Sequence, residues 1–256
     1  QARDFIDNGW DVKRFCRNIV LSASYRQDSV TDPAKLEADP ENRLLARGPS
    51  YRYTAEQIRD LALAASGLLN RQIGGPPVSP YQPGKDLWKE SNGMSPPYQQ
   101  SVGRALYRRS LYSVWKRTVP LPNMMAFDST TREVCTVKRS RTSTPLQALV
   151  LLNDVQFVEA ARVLAERVLD PSDIASSVDN AFELLAARKP DRHEQDLLLD
   201  LYQQEHQYFR EHPDDANKLL ETGDSEPESE QNPADLAAMT AVCQVILNLD
   251  ATVWKR

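Results

Sequence analysis

Between Gly74 and Tyr98 the chain reads GGPPVSPYQPGKDLWKESNGMSPPY, with six prolines and four glycines. Proline fixes φ and brings no N–H, while glycine leaves the backbone unconstrained, so neither a long helix nor a central strand can be built through this run. A long irregular connection is therefore forced on the middle of the chain, and such stretches inside compact domains are often functional. Tyr81, Trp88 and Tyr98 predict that it is pinned to the surface of the domain, because mobile linkers are poor in aromatics. These three rings either cover the helical core or offer faces to sugar rings or a partner protein. Cover is the favoured reading, since buried aromatics contribute much core area.

Helical patterns flank this run. Asp11 reads as an N-cap before the stripe Val12, Phe15, Cys16 and Ile19, with the helix ending near Tyr25. The polar stretch DSVTDPAKLEADPEN is a connection carrying at most a short helical turn. Thr54 and Gln57 form a capping box for a helix carrying Ile58, Leu61, Ala62, Ala65 and Leu68. Farther on, Tyr107, Leu111, Val114 and Trp115 have helical spacing. They predict a helix from Arg104 to Thr118 with Arg108, Arg109, Lys116 and Arg117 around it; a strand is the alternative. Pro120 and Pro122 are expected to stop regular structure there. The strongest helix start is Thr144 at N-cap, Pro145 at N1 and Gln147 at N3, followed by a break at Asn153 and Asp154 and a helix with Phe157, Ala161, Leu164 and Val168 on one side.

Beyond Asp170 the pattern is helical throughout. A hairpin turns at Lys189 and Pro190, a short helix follows near Ala216 to Leu220, and GDSEPESEQNP reads as a mobile acidic linker. A closing helix from Pro233 carries Met239, Val242, Ile246 and Leu249. The expected fold is mainly α: an irregular multi-helix domain with a long Pro/Gly-rich loop and a helical-hairpin C-terminal part. Residues 1–169 form the helical core with the Pro-rich segment, and 170–256 an acidic helical subdomain packed on it, read as one continuous domain.

Composition excludes several functions. No run approaches the ~18 apolar residues of a membrane span, so direct membrane insertion is not expected. The start QARDFIDNGW has no signal peptide and reads as the interior of a longer protein. Cys16, Cys135 and Cys243 are too scattered for a disulfide framework or a CxxC metal site; Cys16 and Cys243 fall on apolar stretches and are expected in the core. His193, His206 and His212 lack the i, i+4 spacing of a helical metal pair and are expected to be exposed. There is no GxSxG, and Ser66 sits in an apolar helix. The interleaved YRRSLYSVWKR resembles a single-strand nucleic-acid surface, but a net charge of -5 and the lack of basic bias elsewhere argue against that partner. No metal and no cofactor is called for.

The charge is unevenly spread. From Arg104 to Arg141 there are nine Lys or Arg against two acids, and from Asp191 to Asp235 fourteen acids against three bases. Lys138, Arg139 and Arg141 sit just ahead of the Thr144-capped helix start. Free N–H groups and the helix dipole there favour an anion. These four residues are the candidate anion or ligand site, and the competing account is neutralisation by Asp128, Glu133 or the acidic half. Asp128 and Glu133 are also the one carboxylate pair that could serve glycoside hydrolysis, with salt bridges to Arg132 or Arg139 as the alternative. No residue is assigned a catalytic role.

The phrases GWDVKRFCRNIVLSASYRQ, ENRLLARGPSYRYTAEQIRDLALAASGLL, GGPPVSPYQP, YRRSLYSVWKRT, FDSTTREVCTVKRSRTSTPLQALVLLND and VCQVILNLD resemble successive segments of one family. It is the planctomycete domain of unknown function fifteen fifty-three, and the resemblance covers the later part of that domain. The resemblance implies an exported, periplasmic or cell-surface protein whose longer relatives carry a cytochrome-c-like module. It implies no haem for these residues and brings no catalytic residues. Because family members are encoded near sulfatases and polysaccharide-degrading functions, it implies a non-catalytic binding or assembly module linked to polysaccharide use. Its partner would be an acidic or sulfated polysaccharide or another exported protein. The alternative is a hydrolase or lyase acting on such glycans.

Overall fold

Most of the longer helices begin at a side chain that accepts a hydrogen bond from the first turn, which supplies an acceptor to one of the free N–H groups every helix start exposes. In the computed structural model, which describes residues 1–84, 98–227 and 231–255, Asp11, Asp32, Thr54, Thr144, Asp154, Asp173, Asp191 and Asn232 all do this. The resulting fold is mainly α. Its helices are α1 (Ala2–Asp7), α2 (Val12–Val20), α3 (Pro33–Ala38), α4 (Ala55–Ser66), α5 (Pro122–Ala126), α6 (Pro145–Asn153), α7 (Val155–Val168), α8 (Ile174–Ala186), α9 (Arg192–Glu211), α10 (Pro213–Leu220), α11 (Pro233–Asn248) and α12 (Asp250–Val253). Strands β1 (Tyr51–Arg52) and β2 (Trp254–Lys255) form a two-stranded sheet.

The chain divides into two compact units, residues 1–51 with 254–255, and residues 52–253. In the first, α1 to α3 bury no residue. Phe5 meets Trp10 and Phe15 at ring-centroid distances of 5.2 and 5.3 Å, and the Lys255 ammonium lies over Tyr25 and Tyr51. Cys16, expected in a core, is exposed. Only one short helix carries its stripe, and Phe15 of that stripe turns to Phe5.

The second unit is organised around α11. Eleven of its residues are buried, on every side, as expected of a helix that is apolar all round rather than along one stripe. Ala234, Ala237 and Ala238 let neighbours approach closely, and α11 packs against α6, α7, α8, α9, α10 and α12. Burial pushes the Cys243 thiol up, which keeps it a neutral core group. Helices α8 and α9 form the expected hairpin, joined by Gln195 to Asp179 at 2.6 Å.

Residues 104–118 are not a helix, nor a strand of a sheet. The segment has two 3₁₀ turns, Gly103–Ala105 and Ser110–Tyr112, and isolated bridges pair Asn70 with Arg108 and Val78 with Ser113. Leu106, Tyr107 and Arg108 are buried in succession, whereas Leu111, read on one helical stripe with Tyr107, is 73% exposed. No helical period produces that pattern. The cause lies in two buried arginines. A segment without a ladder leaves its carbonyls needing donors, and guanidinium carries five N–H donors in a fixed fork. Arg59 of α4 donates to Leu106 O (3.0 Å), Arg108 O (2.7 Å), Ser110 Oγ (3.3 Å) and Gln156 Oε1 (2.7 Å). Arg108 in turn donates to the carbonyl of Gln72 and to those of Gly74 and Pro76 in the proline-rich run, and stacks on Tyr112 at 3.8 Å. A residue expected on a solvated face is thus a clamp. Pro122, expected only to stop structure, opens α5 as its first residue, where a missing N–H costs nothing.

The start of the acidic stretch is also fixed, contrary to expectation. Glu159 on α7 is fully buried and accepts from Tyr107 Oη (2.7 Å), Ser225 N (2.8 Å) and Ser225 Oγ (2.9 Å). Arg162, one turn on, donates to Ser225 O at 2.7 Å. Burial first, and then Glu159, pushes the Tyr107 phenol up to about 12, so it remains a donor. Gly223 adopts φ +103, and a Cβ there would lie 2.4 Å from the Glu159 carboxyl.

Replacing Arg59 by methionine keeps its stem but orphans Leu106 O and Arg108 O. At about 1–3 kcal/mol for each lost buried partner, it should destabilise the protein by about 3 kcal/mol or more, read as a lower denaturation midpoint in urea. Thr144→Ala, which removes one cap oxygen, should cost about 1 kcal/mol in the same assay.

Candidate functional site

The loop from Ser129 to Arg141 carries Arg132 and the three candidate cations Lys138, Arg139 and Arg141, and its base is pinched shut. Asp128 sits in the left-handed region, φ +59, which aims its carboxylate across the loop. There it accepts from Thr142 N (2.7 Å) and Thr142 Oγ1 (2.8 Å). Thr142 Oγ1 also accepts from Gln147 Nε2 at 3.1 Å. Gln147 is completely buried and completes the capping box with Thr144. The helix start of α6 and the loop base are therefore one hydrogen-bonded unit, and its first turn is occupied by the protein's own groups.

A cavity of about 840 Å³ opens beside this unit, lined by Arg52, Tyr53, Thr54, Phe127, Asp128, Val137 to Arg141 and Gln147. Three of the four predicted residues, Lys138, Arg139 and Arg141, line it; Thr144 does not, although its capping partner Gln147 does. The fourth cation was not read from the sequence. Arg52, 5% exposed, donates to Ser143 Oγ at 3.1 Å and lies 6.0 Å over the Phe127 ring, while its Nε is buried without a partner. Burial lowers its pKa, with Asp250 and Asp128 opposing. A guanidinium remains charged regardless, because its ordinary value lies so far above neutrality.

Arg139 does not meet Asp128 or Glu133, the partners expected for it. Its Nη1 contacts both carboxylate oxygens of Glu56 on α4, at 2.9 and 2.8 Å. Arg132 lies over Trp115 at 4.8 Å. Asp128 is committed to Thr142 and Glu133 is exposed, so the two carboxylates do not face one another through a shared basic partner. A second cavity, about 590 Å³, adjoins the first and shares Tyr53 and Arg139 with it. It is lined by Glu56, Asp60, Leu61, Arg109, Leu111, Trp115, Met124 and Arg132 among others.

The other predicted residues lie elsewhere. Tyr81 is buried with Leu63, Leu106 and Tyr107, and its hydroxyl accepts from Asp224 N at 2.7 Å, so the ring covers the core and offers no open face. Tyr98 is half-buried with its hydroxyl on Pro80 O. Trp88 lies outside the described residues. His206, expected to be exposed, is half-buried, stacked on Tyr202 and 3.0 Å from Asp235. His193 and His212 are exposed. Among the described residues no three His, Cys, Asp or Glu side chains gather as a metal site would require. Arg52 and Glu56 escaped the sequence reading because nothing in YRYTAEQ links them to a loop about ninety residues away. The only local signal was an arginine flanked by tyrosines just ahead of a capping box.

No helix is long and apolar enough to cross a membrane among the described residues. No curated protein and no solved structure matches the chain. One family model does match, over residues 2–202, which takes in the loop, both cavities and the helices through most of α9. Its description is PSD1, a protein of unknown function, DUF1553, and the chain belongs to that family.

Proposed function

We propose that this chain is a non-catalytic binding module of an exported protein and that its ligand is an acidic or sulfated polysaccharide, held by an anionic group in the cavity of Arg52, Lys138, Arg139 and Arg141. The observation that carries this reading is Arg52. A guanidinium stripped of water, with a buried Nε that no protein group meets, has already borne the desolvation that binding an anion requires. Lys138 and Arg141 add positive charge at the exposed mouth. Arg forks suit sulfate and carboxylate, which accept two N–H bonds at once. The export and polysaccharide parts of the proposal rest on the family's setting.

Arg139 adds a fixed wall to the cavity. Burial alone would raise the Glu56 carboxyl, but its backbone hydrogen bond, Arg139 and Thr54 outweigh burial and hold it below its ordinary value. A group whose folded pKa is depressed contributes stability that is present above its unfolded value and lost as pH falls through the folded one. The Arg139–Glu56 clamp is thus intact throughout the neutral range and opens only in acid.

Two measurements follow. Isothermal titration with a sulfated galactan and its desulfated form should show binding of the first alone. A doubled Arg52→Gln, Arg141→Ala variant should weaken it roughly 10-fold or more, at about 1.5–3 kcal/mol per charged hydrogen bond; unchanged affinity would sink the assignment. The stability gap between wild type and Glu56→Gln should be constant from about pH 8 to about pH 5 and close below the ordinary glutamate range. A gap that instead widened on acidification would contradict the sign derived above.

A further inference from the structure

The outer face of α6 carries an apolar stripe that the anion site does not use. The inner face of the helix holds Gln147 and Leu151, both buried. Leu146 and Leu149 point the other way and are 58% and 57% exposed, where a surface helix ordinarily places polar residues. Helical spacing sets Asn153 on the same stripe, seven and four positions after the two leucines, and its side-chain amide donates back to Leu149 O at 2.8 Å. The stripe leads to a third cavity of about 370 Å³, lined by Asn153 and Asp154 at the junction of α6 and α7 and by Gln82, Gln100 and Asp224 among others. It lies at the end of α6 opposite to the capped start.

This cavity is rich in acceptors and short of positive charge. Two carboxylates and three carboxamides line it, and among the described residues no Lys, Arg or His does. Asp224 Oδ2 accepts from Gln100 Nε2 at 3.1 Å, and Asp154 Oδ1 from Gln156 N at 3.1 Å. Burial raises the Asp154 carboxyl, with the Gln156 N–H, Asn123 and Arg59 opposing, so its charge is under-compensated. Both polar atoms of the Gln82 amide are buried without a hydrogen-bond partner, a rare state that calls for a group to meet them. A guanidinium brings positive charge and five N–H donors with no acceptor, and a cavity at the small end of the ligand-pocket range suits one side chain. Exposed leucines gathered beside it mark a protein contact. We propose that this face docks a partner protein, whose arginine enters the cavity of Gln82, Asp154 and Asp224 while apolar side chains next to that arginine lie on Leu146 and Leu149. The partner is thus recognised by an arginine flanked by apolar residues, at a place separate from the anion cavity.

The test follows backbone amide signals of the intact chain by NMR as N-acetylarginine amide is added, and then its citrulline counterpart, which keeps the shape and lacks the charge. The arginine probe should move the signals of Asn153, Asp154 and Asp224 and bind at least 10-fold more tightly than the citrulline probe. Asp224→Asn, at an exposed position, should weaken it about 5-fold or more. Two helical peptides carry leucines three positions apart and an arginine four positions beyond, one in each chain direction. At least one should bind 10-fold more tightly than the arginine probe, and Leu149→Gln should remove that gain without changing the affinity of the probe itself. No shift with the arginine probe, equal binding of the citrulline probe, or a response only to galactose or calcium chloride overturns the arginine pocket and the proposal with it. Failure of both peptides to gain, or a gain that survives Leu149→Gln, overturns the docking face.

Discussion

The guanidinium of Arg59 is the contact on which the irregular middle of this protein depends. It is buried between α4, α7 and the 104–110 segment, and it donates to carbonyls that no helix or sheet serves. Burial pushes its pKa down to about 10, while Asp60 and Asp154 oppose that shift, so it is cationic at neutral pH. With the segment held, Tyr107 reaches Glu159, Glu159 holds Ser225, and Arg108 is placed to hold Gln72, Gly74 and Pro76. A proline-rich chain has few N–H groups but every carbonyl, so its natural partners are donors with several hydrogens. Two arginines supply what a missing strand would have.

That dependence explains which parts of the structure could be read from the chain and which could not. Helix starts are local: Thr54 with Gln57 and Thr144 with Gln147 reach three residues, and both boxes are formed as the spacing predicts. The segment containing Tyr107 and Leu111 has helical spacing too, yet its conformation is set by Arg59, forty-seven to fifty-one positions away, and by contacts with the neighbouring proline-rich run. The first residues of the acidic stretch looked solvated because their partners, Glu159 and Tyr81, lie outside any local window. In each case a long-range polar contact overrode a local pattern. The apolar pattern was the better guide where packing alone decided the outcome, as in α8 and α9.

The cleft shows the same division. The three loop cations were legible as a cluster, since charge needs no geometry to be counted. Their meaning was not, because it depends on a left-handed Asp128 that folds the loop back onto Thr142 and on Arg52 and Glu56 arriving from the other side. The start of α6 is closed by its own capping box of Thr144 and Gln147. What faces the cavity is a set of side chains from three separate stretches of chain.

The central helix α11 follows in the chain almost everything it packs against. Helices α6 to α10 emerge from the ribosome before it, with the apolar faces of Leu151, Phe182, Leu198 and Tyr202 still lacking the surface that covers them. During synthesis these helices must stay soluble in a half-built state until residues 233–248 dock. The strongly acidic stretch from Asp191 to Asp235 is then more than a surface feature. Like charges repel, so fourteen acids against three bases over this stretch oppose contact between chains whose cores still lack their hub.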